Sequence, residues 1–155
     1  GKSTIGKLLS KKLSLPLIDI DNEIQELMDM SPSKIFNEYG EKRFRLIESA
    51  FFNESVKVNN AVYATGGGII NNEKNKKTLK KEGISIFLDC PLKILLDRIN
   101  QLPDNRPLIS NNLKENIERI YNERYSIYKD CSKFIINVDN LKQNNVVDKI
   151  IEQIN

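Results

Sequence analysis

The stretch Gly1-Lys2-Ser3-Thr4-Ile5-Gly6 narrows the possible folds more than any other part of the chain. It matches the back half of a phosphate-binding loop, G-x-x-x-x-G-K-[ST], with Gly1 as the second glycine of the motif. Such a loop works because backbone N–H groups and a helix N-terminus converge on an oxyanion. Glycine lets the backbone approach, lysine reaches the β- and γ-phosphates, and the serine hydroxyl ligates Mg²⁺. Ile5, Leu8, Leu9 and Leu13 follow at helical spacing, so a helix is expected directly behind the loop. The strand and loop residues that normally stand before such a glycine are not in the sequence. The expectation is therefore a chain without its first strand. A Gly-Lys-Ser triplet also suits an ordinary helix start, so the remaining residues have to decide.

Bulk properties remove several classes. A chain of 155 residues is expected to form one domain, residues 1–155. Its net charge of +3, from 24 basic and 21 acidic residues, suits a small anionic substrate and is too weak to argue for nucleic acid. No apolar run reaches the length of a membrane span and no secretory signal is visible, so no membrane partner is expected. Cys90 and Cys131 show no metal or redox spacing, and so few cysteines suit a reducing, cytoplasmic setting. Histidine is absent, which removes Ser–His and Cys–His nucleophiles and histidine zinc sites together. Proton transfer is left to carboxylates or lysine.

Along the chain, residues 15–21 read as a short buried strand ending in acid, with Asp19 and Asp21 two apart and on one face of an extended segment. Two neighbouring carboxylates repel unless something cationic or hydrogen-bonding lies between them. A metal-held nucleotide beside a hydroxylated substrate meets that need. A second reading makes Asp21 the N-cap of a helix over residues 22–30. Residues 34–58 read as a helical pair broken near Gly40, carrying Arg43 and Arg45 and an apolar face of Leu46, Ile47, Ala50 and Phe51. A strand at 61–65 runs straight into Gly66-Gly67-Gly68, which makes sense where a backbone passes close to a ligand or another segment. Residues 69–81 read as a lysine-rich surface helix, 84–89 as a third strand and 91–99 as a helix. Residues 101–112, with Arg106 at their tip, have the length of an active-site lid. On the helix expected over 113–128, Arg124 falls on the apolar face with Ile117 and Ile120 and needs an anionic partner. A fourth strand at 133–138 and a closing helix at 141–154 complete the pattern. Strands alternating with helices argue a parallel sheet covered on both faces.

These pieces together resemble shikimate kinase, over essentially the whole chain. The matching residues are Gly1-Lys2-Ser3-Thr4, Ile18-Asp19-Ile20-Asp21 and Phe36-x-x-x-Gly40-Glu41-x-x-Phe44-Arg45. They continue with Thr65-Gly66-Gly67-Gly68, Leu88-Asp89-x-Pro91, Arg106-Pro107-Leu108 and Arg124-x-x-x-Tyr128. Each is weak alone, and jointly, in this order and spacing, they are strong. The resemblance implies a three-layer α/β/α fold of the P-loop, nucleoside-monophosphate-kinase-like kind, whose first strand is central. It implies transfer of the γ-phosphoryl of ATP to the 3-hydroxyl of shikimate, with Mg²⁺; apart from the resemblance, a cytoplasmic monomer is expected. Gly1, Lys2, Ser3 and Thr4 then hold ATP, Ser3 and Asp19 serve the metal, and Asp21 binds the ring hydroxyls and accepts the proton. Arg45 and Arg124 grip the substrate carboxylate, Gly67 supplies a backbone contact, Arg106 closes over the phosphates and Arg98 stacks on adenine. The substrate segment spans about 22–58 and the lid about 101–112. The segment 139–145 should flank adenine, although the proline expected there is absent. Another small-molecule kinase of this fold, such as a gluconate or nucleotide kinase, keeps Lys2 and Ser3 but has no need of Arg45, the glycine triplet and Arg124 together. A truncated copy that only binds ligand is the other alternative, and the intact charged set speaks against decay.

Overall fold

The computed structural model describes residues 1–58, 60–100, 113–139 and 141–155. The expected lid and Arg106 lie outside these residues. Helix α1 (Lys2–Leu13) begins immediately behind Gly1, and its first turn is closed by the Ile5 amide donating to the Gly1 carbonyl at 2.9 Å. Strand β1 (Leu17–Asp19) follows, then α2 (Ile20–Met28) and α3 (Pro32–Val58). Gly40 breaks α3 at φ +74°, a left-handed conformation in which any Cβ is strained, so the break expected near Gly40 is present and needs glycine. Strand β2 (Val62–Ala64) leads through the glycine triplet into a 3₁₀ turn, Ile69–Asn71, and α4 (Glu73–Lys81). The rest is β3 (Ile86–Asp89), α5 (Leu92–Asn100), α6 (Leu113–Cys131), β4 (Phe134–Asn137) and α7 (Gln143–Ile154).

The strands pair as β1 with β2 and β3 with β4, both parallel. Among the described residues these are two separate ladders. Side-chain alternation shows why the architecture has three layers. Ile86 and Leu88 of β3 join a cluster made by Ile5 and Leu9 of α1 and Val146, Val147 and Ile150 of α7. Phe87, between them, faces the other way and meets the rings of Tyr125 and Tyr128 on α6. In the first pair, Val62 joins the α1–α7 cluster while Ile18 and Tyr63 pack against a second core. That core holds Ile20 and Ile24 of α2, Ile35, Phe44 and Phe52 of α3, and Ile69 and Ile70. β1, β2 and β3 are thus apolar on both faces, as a covered parallel sheet requires, whereas β4 buries Ile136 and leaves Ile135 43% exposed.

Two expectations need correction. Asp19 and Asp21 do not lie on one extended strand, because β1 ends at Asp19 and α2 starts at Ile20. Ile20 and Ile24, both fully buried, supply the reason: their i, i+4 spacing lets a helix bury both at once. Nor is 69–81 one surface helix. Asn72 interrupts it and caps α4 by accepting from the amides of Lys74 and Asn75. Asn75 is 1% exposed and ties the layers together. It donates to the Ile69 carbonyl at 2.9 Å and accepts from Ser49 at 2.7 Å and Asn53 at 2.6 Å, so α3 is joined to the turn behind the glycines.

Candidate active site

The site is organised by the three glycines. The end of β2 delivers them beside α2, α3 and α6, and each faces a different charged or polar side chain. A Cβ built on Gly66 would stand 3.0 Å from Asp21 Oδ1 and 3.1 Å from Glu48 Oε1. One on Gly67 would stand 3.2 Å from the Tyr128 hydroxyl and 4.0 Å from Arg124 Nη1. One on Gly68 would overlap the Arg45 guanidinium. The triplet is glycine because three helices bring their functional side chains to within contact of its backbone, which meets the expectation of a close approach.

Arg45 lies on α3, and its side chain is only 21% exposed. Its Nη1 donates to Glu48 at 2.9 and 3.0 Å, its Nε reaches Glu41 at 3.4 Å, and its guanidinium lies over the Phe44 ring at 5.2 Å. Glu48 is 1% exposed, so the pair is held largely out of water. Burial pushes the Glu48 carboxyl above the 4.5 of a free glutamate, the Asp21 charge adds to this, and Arg45 opposes it by charge and hydrogen bond. Asp21 behaves alike. Burial lifts it above the 3.8 of a free aspartate, the Asp19 charge adds to the rise, and Lys2 and Arg45 pull it back. Lys2, Asp19, Asp21 and Arg45 therefore share one electrostatic neighbourhood. Asp21 sits in the first turn of α2 rather than at its N-cap, so the capping reading fails. Arg124 donates from Nη1 to the Gly67 carbonyl at 3.3 Å, beside Tyr128, whose hydroxyl donates to the same oxygen at 2.6 Å.

The residues expected to hold phosphate are different in kind. Gly1, Lys2, Ser3 and Thr4 are exposed at the start of α1, where the first-turn amides and the helix dipole face outward. Asp19 occupies the N-cap position of α2 but makes no side-chain cap bond, so its carboxylate is not spent on α2 amides. Asp21 feels the charges of both Asp19 and Lys2, and Ser3 follows Lys2 in the chain, so the donors on offer are a hydroxyl and carboxylates, all hard oxygens. Among the described residues no group of three or more His, Cys, Asp or Glu forms a metal cage. Mg²⁺ needs none, because it takes one or two protein oxygens and fills its octahedron with phosphate and water. The donor chemistry fits.

The family model for shikimate kinase matches residues 1–155. The chain belongs to the shikimate kinase family. Curated shikimate kinases include one of Clostridium botulinum (strain Alaska E43 / Type E3), 43% identical over 155 residues, covering 99% of this chain and 88% of that protein. Another, of Caldicellulosiruptor bescii, is 41% identical over 152 residues, with 97% and 87% covered. Among solved structures, the Acinetobacter baumannii shikimate kinase in complex with shikimate superposes with a TM-score of 0.92 at 30% identity, over 99% of this chain and 86% of that one. The Aquifex aeolicus shikimate kinase gives 0.85 at 32% identity, over 99% and 89%. The chain is therefore an ATP-dependent small-molecule kinase by family, with the parallel α/β fold that its sequence led us to expect.

Shikimate kinase residues expected from the sequence fall into four groups here, one of them Gly1, Ser3 and Thr4, exposed at the start of α1. Lys2, Asp19, Asp21, Arg45, Gly67 and Arg124 come together at one place. Arg98 is exposed on α5, near enough to Cys90 for its charge to lower that thiol against the upward push of burial. Arg106 lies outside the described residues. Glu48 carries no role in the sequence reading, although its i, i+3 spacing from Arg45 is the signal that finds it. Tyr128 appears there only as a motif position, without a function. Both cysteines are free and buried.

Proposed function

We propose that this chain transfers the γ-phosphoryl of ATP to the 3-hydroxyl of shikimate, with Mg²⁺, through the residues gathered at the glycine triplet. The observation that carries the assignment of roles is the convergence of Asp21, Arg45 and Arg124 on that triplet. A carboxylate acceptor of protons and two guanidinium groups suit a substrate that has a hydroxyl at one end and a carboxylate at the other. Arg45 and Arg124 hold the substrate carboxylate in bidentate forks, for which arginine is better shaped than lysine. Gly67 contributes backbone polarity. Asp21 accepts the proton of the attacking hydroxyl as its oxygen bonds phosphorus and the bond to the β-phosphate oxygen breaks. Its raised pKa makes it a better proton acceptor at neutral pH than an ordinary aspartate.

Gly1, Lys2, Ser3 and Thr4 hold the phosphates of ATP, with Lys2 stabilising charge that develops on them. Ser3 and Asp19 are the residues that would hold Mg²⁺, and the metal when bound supplies charge neutralisation at the phosphates. Arg98 serves the adenine side and Arg106 a lid over residues 101–112; closure of such a lid keeps water from competing as acceptor. Residues 1–155 act as one domain, with the substrate segment over about 22–58. No helix is long and apolar enough to cross a membrane among the described residues. We further propose a cytoplasmic monomer that binds no nucleic acid.

A coupled ADP-release assay with shikimate, gluconate and nucleoside monophosphates, with and without Mg²⁺, tests the reading. Shikimate should be the preferred acceptor and turnover should require the metal. Equal or better turnover of gluconate overturns the assignment of Arg45, Gly67 and Arg124 to the substrate.

A further inference from the structure

We propose that Tyr128 is a positioning residue, whose hydroxyl fixes the orientation of the Gly67 carbonyl and thereby the face that the glycine triplet turns to the substrate. The inference rests on the function proposed above. A Gly-Gly peptide has no side chains to bias its φ and ψ, so it holds one orientation only when something outside it supplies the anchor. Here the anchor is the 2.6 Å hydrogen bond from the Tyr128 hydroxyl to the Gly67 carbonyl, far shorter than the 3.3 Å bond from Arg124 to the same oxygen. The described peptides are all trans, so the Gly67 carbonyl and the Gly68 N–H point in opposite directions. With the carbonyl held toward α6, the next residue is presented to the other wall, where Gly68 lies against the Arg45 guanidinium.

The anchor is itself held. The Tyr128 ring stacks on Phe87 of β3, with centroids 5.2 Å apart and planes at 28°. The ring also packs against the core that contains Ile69 and Ile70, just behind the triplet. The hydroxyl therefore has a fixed origin on the sheet, and Arg124, one helical turn earlier on α6, shares it. Once Arg124 turns its guanidinium to a substrate carboxylate, its long bond to Gly67 is the one given up. The tyrosine hydroxyl then remains to keep the peptide in place.

Tyr128→Phe in the intact chain removes the hydroxyl and keeps the ring on Phe87. Tyr125→Phe is the matched control: it loses a hydroxyl from the same helix, but one that donates to Asp89 at 3.1 Å. Steady-state kinetics for both substrates, with direct shikimate titration and thermal melts, supply the readouts. For Tyr128→Phe the shikimate KM should rise about 3- to 10-fold, the worth of one buried hydrogen bond, while the ATP KM stays within about twofold. Tyr125→Phe should leave the shikimate KM unchanged. A Tyr128→Phe variant with unaltered shikimate KM and binding overturns the proposal. So does a parallel rise in both KM values with a lowered melt, which marks a loosened fold. A parent chain that neither binds nor phosphorylates shikimate overturns the functional reading along with this proposal, whereas an active parent with an unaffected variant overturns this proposal alone.

Discussion

The two halves of the site are built by opposite means. The glycine-triplet half rests on the core of Ile20, Ile24, Ile35, Phe44, Phe52, Ile69 and Ile70, and its charges are wired to one another before any ligand arrives. Arg45 holds Glu48, while Arg124 and Tyr128 hold the Gly67 carbonyl. The phosphate half rests on the other core, of Ile5, Leu9, Ile136, Val146, Val147 and Ile150, and presents Lys2, Ser3 and Thr4 to solvent. One half is shaped by side chains held at reduced dielectric, the other by backbone amides at a helix start. The difference teaches where discrimination resides. On the proposed roles, a triphosphate shared by many kinases would be met by general backbone electrostatics, and the acceptor by particular side chains that cannot be exchanged without rebuilding their partners.

The largest effect should come from Asp21, the residue where the two halves meet. Asp21→Asn keeps size and much of the hydrogen bonding but removes the proton acceptor. If Asp21 acts as the base, turnover should fall by about 10²–10⁴. The parent's kcat should also show an acid limb above the 3.8 of a free aspartate, because burial and Asp19 raise the Asp21 pKa and the group must be ionised to accept a proton. Near-normal turnover in a folded Asn variant places Asp21 outside the chemistry and leaves it a helix-turn acid. That outcome would also remove the junction between the two halves.

Much of this was legible in the residues, and the misses share a cause. The half proposed for phosphate could be read directly, since the role proposed for it rests on a backbone run that sequence spells out as Gly1-Lys2-Ser3-Thr4. Residue types in the acceptor half were legible too, but not their partners. Glu48 carries no role in the sequence reading, yet beside Gly66 of the turn behind β2 it is 1% exposed. Asp21 was expected on a strand because Ile18 and Ile20 are β-formers. Burial of Ile20 with Ile24 overrides that propensity and starts α2 two residues sooner. Tyr128 and Asn75 act through carbonyls of Gly67 and Ile69, and a hydrogen bond to a distant backbone leaves no trace in local pattern.

An intermediate effect should come from the Arg45–Glu48 pair, which tests whether the acceptor half is truly prewired. Arg45→Lys retains the charge and loses the fork, so the shikimate KM should rise about 10- to 100-fold, the range for charge-assisted hydrogen bonds, with much less change for ATP. Glu48→Gln should raise it less, since Arg45 keeps Glu41. The stability signature has a definite sign. Glu48 has a folded pKa above its free value of 4.5, so its contribution is fully present below 4.5 and is lost as pH rises through the raised value. The Gln variant should therefore show a smaller fall in melting temperature than the parent across that window. An ATP KM that moves more than the shikimate KM in Arg45→Lys would transfer this arginine to the phosphate half.

The smallest effect is the one that compares the halves most directly. Salt screens exposed charges over a Debye length of about 10 Å at 0.1 M and about 3 Å at 1 M, and screens buried pairs much less. Lys2 stands exposed at the start of α1, whereas Arg45 is 21% exposed and leans on a Glu48 that water barely reaches. Raising ionic strength from about 0.05 to 0.5 M with an inert salt, at fixed free Mg²⁺, should thus weaken ATP more than shikimate, although both ligands are anions. The expected change is about two- to fivefold in the ATP KM and under about twofold in the shikimate KM. The single carboxylate of shikimate carries less charge than a triphosphate, which alone biases the result in this direction. Shikimate 3-phosphate, run as the substrate of the reverse reaction with ADP, separates the two causes because it adds phosphate charge on the acceptor side. If burial governs, its KM should follow salt less steeply than that of ADP. If the two slopes are equal, ligand charge alone sets the response, and the contrast between a buried acceptor half and an exposed phosphate half has no electrostatic consequence.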